Sequence, residues 1–266
     1  MRTESHDWEQ ALPALLTTQR FGRTFRLFPA CDSTNDEAAK LTDLGCAEGT
    51  IVSADQQAKG RGRLGRSWHS PPGANLYFSL VLRPTLPPAA LPPLTLLVGA
   101  AVAQTLQDIG IECRLKWPND IMLPTAGGLK KAGGILTEMA SSGGKIKHVI
   151  VGVGINVLST GFPPELDSIA TSLQLASQSP PDRLTLLAGF LNTFEPLYDR
   201  FGTEGTAFAL ERWRRYGWLG QPCRVDRETG SISGVAVDVD ESGALVLEDQ
   251  SGKRHSVLSG EVVTKL

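Results

Sequence analysis

Gly60-Arg61-Gly62-Arg63-Leu64-Gly65-Arg66-Ser67-Trp68 sets three arginines among three glycines. Glycine lets a backbone reach positive φ and approach a ligand closely. Arginine presents a planar fork of donors suited to carboxylate and phosphate oxygens. Such a stretch builds no core, so it reads as a cationic loop that can close on an anion. Three readings stand open at this point: a solvated basic loop, an Arg/Gly nucleic-acid contact, and a nucleotide site. Gly60 to Ser67 nearly spells a P-loop, but Arg66 stands where that motif needs lysine, which weakens the P-loop reading.

The flanks say how the loop is held. Thr50 to Ala54 is an apolar strand, and Asp55-Gln56-Gln57-Ala58-Lys59 leads into the loop. Asn75 to Leu82 is strand-like again, with Tyr77 and Phe78. A loop anchored by strands at both ends and free in the middle suits a lid.

The whole chain limits the partners. With 266 residues it has room for one large domain and a small one. A net charge of -2 gives no global field favouring nucleic acid. Cys31, Cys46, Cys113 and Cys223 are widely spaced without a C-x-x-C pair, which fits free thiols in a reducing cytoplasm better than zinc or disulfides. His6, His69, His148 and His255 form no metal cluster in sequence. Met1 to Gln10 has no apolar signal segment, and no run of 18 apolar residues follows, so neither a leader nor a membrane span is expected.

Around the lid, periodicity predicts an alternation of strands and helices. Trp8 to Thr18 reads as a short helix interrupted by Pro13, and Thr24 to Phe28 as a first strand. Cys31-Asp32-Ser33-Thr34-Asn35 offers N-cap side chains for a helix to about Leu44, stopped by Gly45. Pro92 and Pro93 open an amphipathic helix that Gly110 closes. Glu112 to Trp117 is a strand ending in Lys116-Trp117-Pro118-Asn119-Asp120, with Ile121 to Leu123 as a hairpin arm and Thr125 to Leu129 as a Gly-rich loop. Strands follow at Lys130 to Glu138 and at His148 to Gly154, the latter ending in Gly152-Val153-Gly154-Ile155-Asn156. That run is no dinucleotide fingerprint, because Val157 replaces the third glycine. A helix over Arg183 to Phe201 should kink or split at Pro196, and another follows from about Glu204 to Tyr216. From Trp218 the pattern changes to short strands near 222–226, 231–239, 244–248 and 254–258 with glycine turns between them. This predicts a five-stranded small barrel and a boundary near Leu219-Gly220: a large domain over 1–218 and a barrel over 219–266.

These motifs, in order, resemble those of biotin protein ligases: Asp32-Ser33-Thr34-Asn35, Gln57 with Gly60 to Trp68, Lys116 to Asp120, Lys131-Ala132-Gly133-Gly134-Ile135-Leu136-Thr137-Glu138, and Gly152 to Asn156. The resemblance covers about residues 24 to 266 and points to the monofunctional type, since no stretch before it is long enough for a winged-helix DNA-binding domain. It implies an α+β fold in which a mixed β-sheet of the class II synthetase type has helices packed on one side and is followed by an SH3-like barrel. It implies two reactions, formation of biotinyl-5′-AMP from biotin and Mg2+-ATP, then transfer of biotin to a lysine of a biotin carboxyl carrier protein.

By that resemblance, Arg61, Gly62 and Arg63 cover biotin and the phosphates, Arg66 adds a phosphate contact, and Lys116 is the main electrostatic catalyst beside the reacting carboxylate and α-phosphate. Lys131 contacts ligand. Ser33, Thr34, Asn35 and Gln57 meet the polar ureido end of biotin, and Trp68, Asn119 and Asn156 border the nucleotide. Asn119 and Asp120 are also placed for the carrier lysine or magnesium, and Glu138 is either structural or supports the ligand contacts from behind. No resident metal, DNA or membrane is expected, and the protein is a monomer or homodimer in the cytoplasm. The alternatives are a lipoate or octanoate ligase, a nucleic-acid-binding protein using the Arg/Gly loop, and a biotin sensor without transfer.

Overall fold

The computed structural model describes residues 7–177 and 179–263; Glu4 and His6 lie outside them. In chain order the elements are α1 (Trp8–Leu15), β1 (Phe25–Phe28), α2 (Thr34–Asp43), β2 (Ile51–Ala54), β3 (Leu76–Leu82), α3 (Pro92–Asp108), β4 (Arg114–Lys116), β5 (Asp120–Thr125), β6 (Gly128–Ser142), β7 (Lys145–Ile155), α4 (Pro164–Asp167), α5 (Leu173–Ala176), α6 (Arg183–Glu204), α7 (Thr206–Arg214), β8 (Pro222–Arg227), β9 (Gly230–Val239), β10 (Leu245–Glu248), β11 (Arg254–Val257) and β12 (Glu261–Val263). Seven strands form a mixed sheet in the order β1-β2-β3-β7-β6-β5-β4, and five form a second, antiparallel sheet in the order β11-β10-β9-β8-β12. Only the β1–β2 pair of the large sheet is parallel.

Strand alternation sorts the large sheet into two faces. Ile51, Phe78, Leu80, Val151 and Val153 point into the main core with residues of α1, α3, α6 and α7. Val52, Val81 and Ile150 point the other way and pack on Ala38 of α2. Helices therefore cover both faces, not one. The apolar faces of α3 and α6 fill the first, while α2 covers only part of the second and leaves the rest open beside Ser79, Gly152 and Gly154. Those small residues sit where a buried central strand would otherwise carry large apolar ones.

Several local expectations are corrected. Helix α6 runs unbroken through Pro196, and α1 through Pro13. Both prolines are exposed. Each removes a hydrogen bond on the solvent side, where water can replace it, while the buried side holds. In α6 that side stacks Phe190 on Phe194, ring centroids 5.3 Å apart. The Thr125–Leu129 loop is instead a tight hairpin, with Thr125 opposite Gly128 in the ladder. The strand expected over Glu112–Trp117 narrows to β4, and the one over Lys130–Glu138 widens to β6. The fifth strand of the small sheet, not located from sequence, is β12 on β8. The stretch Pro88–Asp108, containing α3, is long and apolar enough to cross a membrane, but 72% of its most apolar window is buried in the fold.

Glu195 fastens the N-terminal segment to α6. Its carboxylate accepts from the backbone N–H groups of Gln19 (2.6 Å), Arg20 (3.0 Å) and Phe21 (2.7 Å). Burial raises this carboxyl, but the three N–H donors and Arg20 together hold it below the ordinary glutamate value. Its contribution is therefore present at neutral pH and fades on acidification below about pH 4, as the group protonates. Glu195→Ala leaves three donors without their acceptor and is expected to cost about 3 kcal/mol in urea unfolding at pH 7. The loss shrinks at pH 3.

Candidate active site

The open part of the α2 face is a groove of about 490 Å3, within the range of small-molecule sites. It is lined by every residue assigned to a ligand or to catalysis from sequence: Ser33, Thr34, Asn35, Gln57, Arg61, Gly62, Arg63, Arg66, Trp68, Lys116, Asn119, Lys131 and Asn156, with Asp120 but without Glu138. Their surroundings divide them sharply.

One end is a buried polar row. Ser33 precedes α2 in extended backbone, and its side chain makes no capping bond, so the cap expected there is absent. The backbone N–H of Thr34 donates to Gln57 Oε1 at 2.9 Å, and Gln57 Nε2 donates to Ser70 at 3.0 Å. Asn35 Nδ2 donates to Glu138 Oε2 at 2.6 Å, and Ser79 meets Asn35 Oδ1 at 2.6 Å. A polar row of this kind on a sheet face gives a neutral polar ligand paired donors and acceptors.

The other end is cationic. Lys116 Nζ lies 3.2 Å and Lys131 Nζ 2.5 Å from the two oxygens of Asp120. Residues 117–119 form the turn between β4 and β5, so Lys116 and Asp120 stand opposite each other in the ladder. Lys131 Nζ is also 5.4 Å from the centre of the Trp68 ring. That ring lies on Gly134 and Gly154; a Cβ on Gly154 would come within 2.6 Å of Trp68 Nε1. Two expected ligand contacts also bond the frame. Asn119 Nδ2 donates to Ile135 O at 2.8 Å, and Asn156 Nδ2 to Thr171 O at 3.0 Å.

The loop spans both ends, and its arginines have separate partners. Arg61 bonds Asp36 at 2.7 Å and reaches Glu138 at 3.2 Å. Arg66 forms a two-toothed pair with Glu261 of β12. Arg63 makes no ion pair among the described residues; burial pulls its guanidinium below the ordinary value, with Asp120 opposing. Arg63 is thus the lid cation left to face an incoming anion. Leu64 beside it sits at φ 56, the left-handed region, strained for a leucine.

Sequence reasoning missed Ser70, Ser79, Glu261 and Val262. Val262 O accepts from Lys116 Nζ at 3.3 Å, so the small sheet finishes the cationic end. Nothing in the sequence signals this, since Glu261-Val262-Val263 carries no motif and meets the loop across 195 positions.

Cys31 lies beside the polar row, bridged to Gln57. Burial, then Glu37 and Asp32, push its thiol up to about 11. It is a poor nucleophile for a thioester mechanism. Expected is slow alkylation of Cys31 by iodoacetamide at pH 8, measured by mass spectrometry, compared with a free thiol of ordinary pKa.

A loop of arginine and glycine over a groove that is polar at one end and cationic at the other suits a ligand with a neutral polar head and an anionic tail. Residues 27–156 match the biotin/lipoate A/B protein ligase family, and 218–264 match the biotin protein ligase C-terminal domain. The chain is 39% identical to the bifunctional ligase/repressor BirA of Bacillus spizizenii, over 89% of this chain and 73% of that protein. It is 33% identical to the biotin–[acetyl-CoA-carboxylase] ligase of Paracoccus denitrificans, over 84% and 93%. The Aquifex aeolicus biotin protein ligase, solved with biotin and ATP, superposes with a TM-score of 0.76 at 31% identity, over 91% and 98%. The chain belongs to the biotin/lipoate A/B protein ligase family, as a biotin protein ligase.

Proposed function

We propose that this protein activates biotin with ATP to biotinyl-5′-AMP and then transfers biotin to a lysine of a biotin carboxyl carrier protein. The carrying observation is the groove itself, whose polar row and cationic cluster are held by one sheet face. Thr34, Asn35 and Gln57, with Ser33, receive the ureido ring. An unmatched polar group there would cost about 1–3 kcal/mol, so the row also selects the ligand.

The carboxylate then lies toward Lys116. Activation brings that carboxylate against the α-phosphate, two anions that repel. Lys116 and Arg63 offset the repulsion, with Lys131 and Arg66 as further cations, and stabilise the charge that develops on the phosphate. Arg61 and Gly62 cover the ligand. Trp68 and Asn156 border the nucleotide, and Asn119 fixes the turn that carries Lys116. Closure of residues 60–68 excludes water, which would hydrolyse the adenylate.

Magnesium fits this site as a companion of the ATP phosphates. Among the described residues no cluster of three His, Cys, Asp or Glu could hold a metal, and the groove offers Asp120 and Glu261, both paired with cations. Mg2+ commonly takes one or two carboxylates and leaves the rest to phosphates and water. The protein acts in the cytoplasm, as a monomer or homodimer, without DNA or membrane. The carrier presents its lysine at the open side of the groove.

The test is transfer. Purified protein, Mg2+-ATP, biotin and an apo carrier domain are combined and probed with streptavidin, with lipoate and octanoate in parallel. Label requiring both biotin and ATP is expected. Absence of label together with absence of biotin-dependent pyrophosphate release would overturn the proposal.

A further inference from the structure

The polar row is longer than the ligand contacts require, and it has a direction. Asn35 Nδ2 donates to Glu138 at 2.6 Å. Ser79 Oγ lies 2.6 Å from Asn35 Oδ1 and 2.8 Å from Thr34 Oγ1. Gln57 Oε1 receives the Thr34 N–H, Gln57 Nε2 donates to Ser70, and Ser70 Oγ donates to Trp68 O at 3.1 Å. The row therefore runs unbroken from Glu138 to the backbone of Trp68 at the far end of the lid. The near end of the lid, Arg61, bonds the same Glu138.

Counting protons orients Asn35 and Ser79 from the Glu138 end, while a backbone donor orients Gln57. An ionised carboxylate only accepts, so Asn35 must turn its NH2 to Glu138 and its oxygen to Ser79. Ser79 has one proton, which goes to that oxygen. Its contact with Thr34 is then filled by the Thr34 hydroxyl, 2.8 Å away, in preference to that hydroxyl's other acceptor, Gln57 Oε1, at 3.2 Å. The backbone N–H of Thr34 holds Gln57 Oε1 and so aims the Gln57 NH2 at Ser70. The other acceptor near the Asn35 amide is Leu136 O at 3.5 Å, at the weak end of hydrogen bonding. Asn35, Thr34 and Ser79 are buried to 3% exposure or less, so water cannot rescue a reversed amide.

We infer that Glu138 is the positioning residue for biotin recognition: its carboxylate sets the donor–acceptor order of Asn35, Ser79 and the Thr34 hydroxyl, and ties that order to the lid through Arg61. This rests on the assignment of biotin's ureido end to that row. Glu138 is not among the residues that line the groove.

The test uses Glu138→Gln, which keeps the shape but can donate as well as accept, so the Asn35 amide is free to reverse. Asp36→Asn is the control, because Asp36 holds Arg61 but lies outside the row. Biotin binding is read by calorimetry without ATP, and KM for biotin and ATP and kcat by pyrophosphate release. Expected for Glu138→Gln is a biotin Kd and KM raised about tenfold or more, with kcat and KM for ATP within threefold of the parent. Asp36→Asn should change the biotin constants less than threefold. An unchanged biotin Kd in Glu138→Gln, an equal rise in KM for ATP, or the same effect from Asp36→Asn would overturn the inference. If the parent protein itself bound no biotin, the ligase assignment would fail instead.

Discussion

Lys116→Ala is expected to lower the rate of biotinyl-5′-AMP formation by about 10²–10³-fold, the usual consequence of removing one preorganised donor from the charge that develops in a transition state. The lysine is held rather than mobile. Asp120 is 3.2 Å away on one side and Val262 O 3.3 Å on another, so little reorganisation is needed when the phosphate arrives. Its loss leaves Asp120 paired with Lys131, which keeps the turn from 117 to 119 in place. Biotin affinity, set at the polar end, should change little. Stopped assays of pyrophosphate release measure the first reaction; supplying chemically made biotinyl-5′-AMP and apo carrier measures the second alone. A large loss in the first with a much smaller loss in the second is the expected pattern. An equal fall in both would remove Lys116 from its assigned role.

The second large effect belongs to a glycine. Gly152→Ala places a methyl group against the amide of Asn35. That amide cannot swing away without abandoning Glu138 and Ser79, to which it is bonded at 2.6 Å each. Two buried polar groups left unmatched cost about 3 kcal/mol together, which is about 10²-fold in biotin affinity. The core on the opposite face is untouched, because Val151 and Val153 point there. Calorimetry should therefore show biotin binding weakened about 10²-fold, and the same unmatched groups should lower the thermal midpoint by several degrees while the fold is kept. A variant that binds biotin normally would place the ligand elsewhere.

The sheet strands and the lid were legible because their signals are local. Tyr77-Phe78 and the apolar run through Val153 announce buried strands, and the Gly/Arg loop announces an anion. Pro196 and Pro13 misled because proline was weighed for its missing N–H alone; sequence does not say that each stands on the wet side of its helix. The residues named from motifs line one groove. Asn119 and Asn156 show the limit of that route, since a motif names a residue without saying whether its side chain faces ligand or backbone. Ser79 and Glu261 were invisible for a different reason: their partners are brought near only by strand pairing and by the return of the small sheet. The covering of both sheet faces was likewise hidden, because the parity that sends Val52 to α2 and Ile51 to the core depends on which neighbour each strand finds.

Arg66 and Lys116 reach across to Glu261 and Val262, which are among the last parts of the site to be made. A nascent chain that has emerged as far as Gly260 carries the whole seven-stranded sheet and all of its lid, yet Arg66 has no carboxylate to close on and Lys116 lacks one of its two anchors. Both contacts are thus made only once β12 is laid against β8.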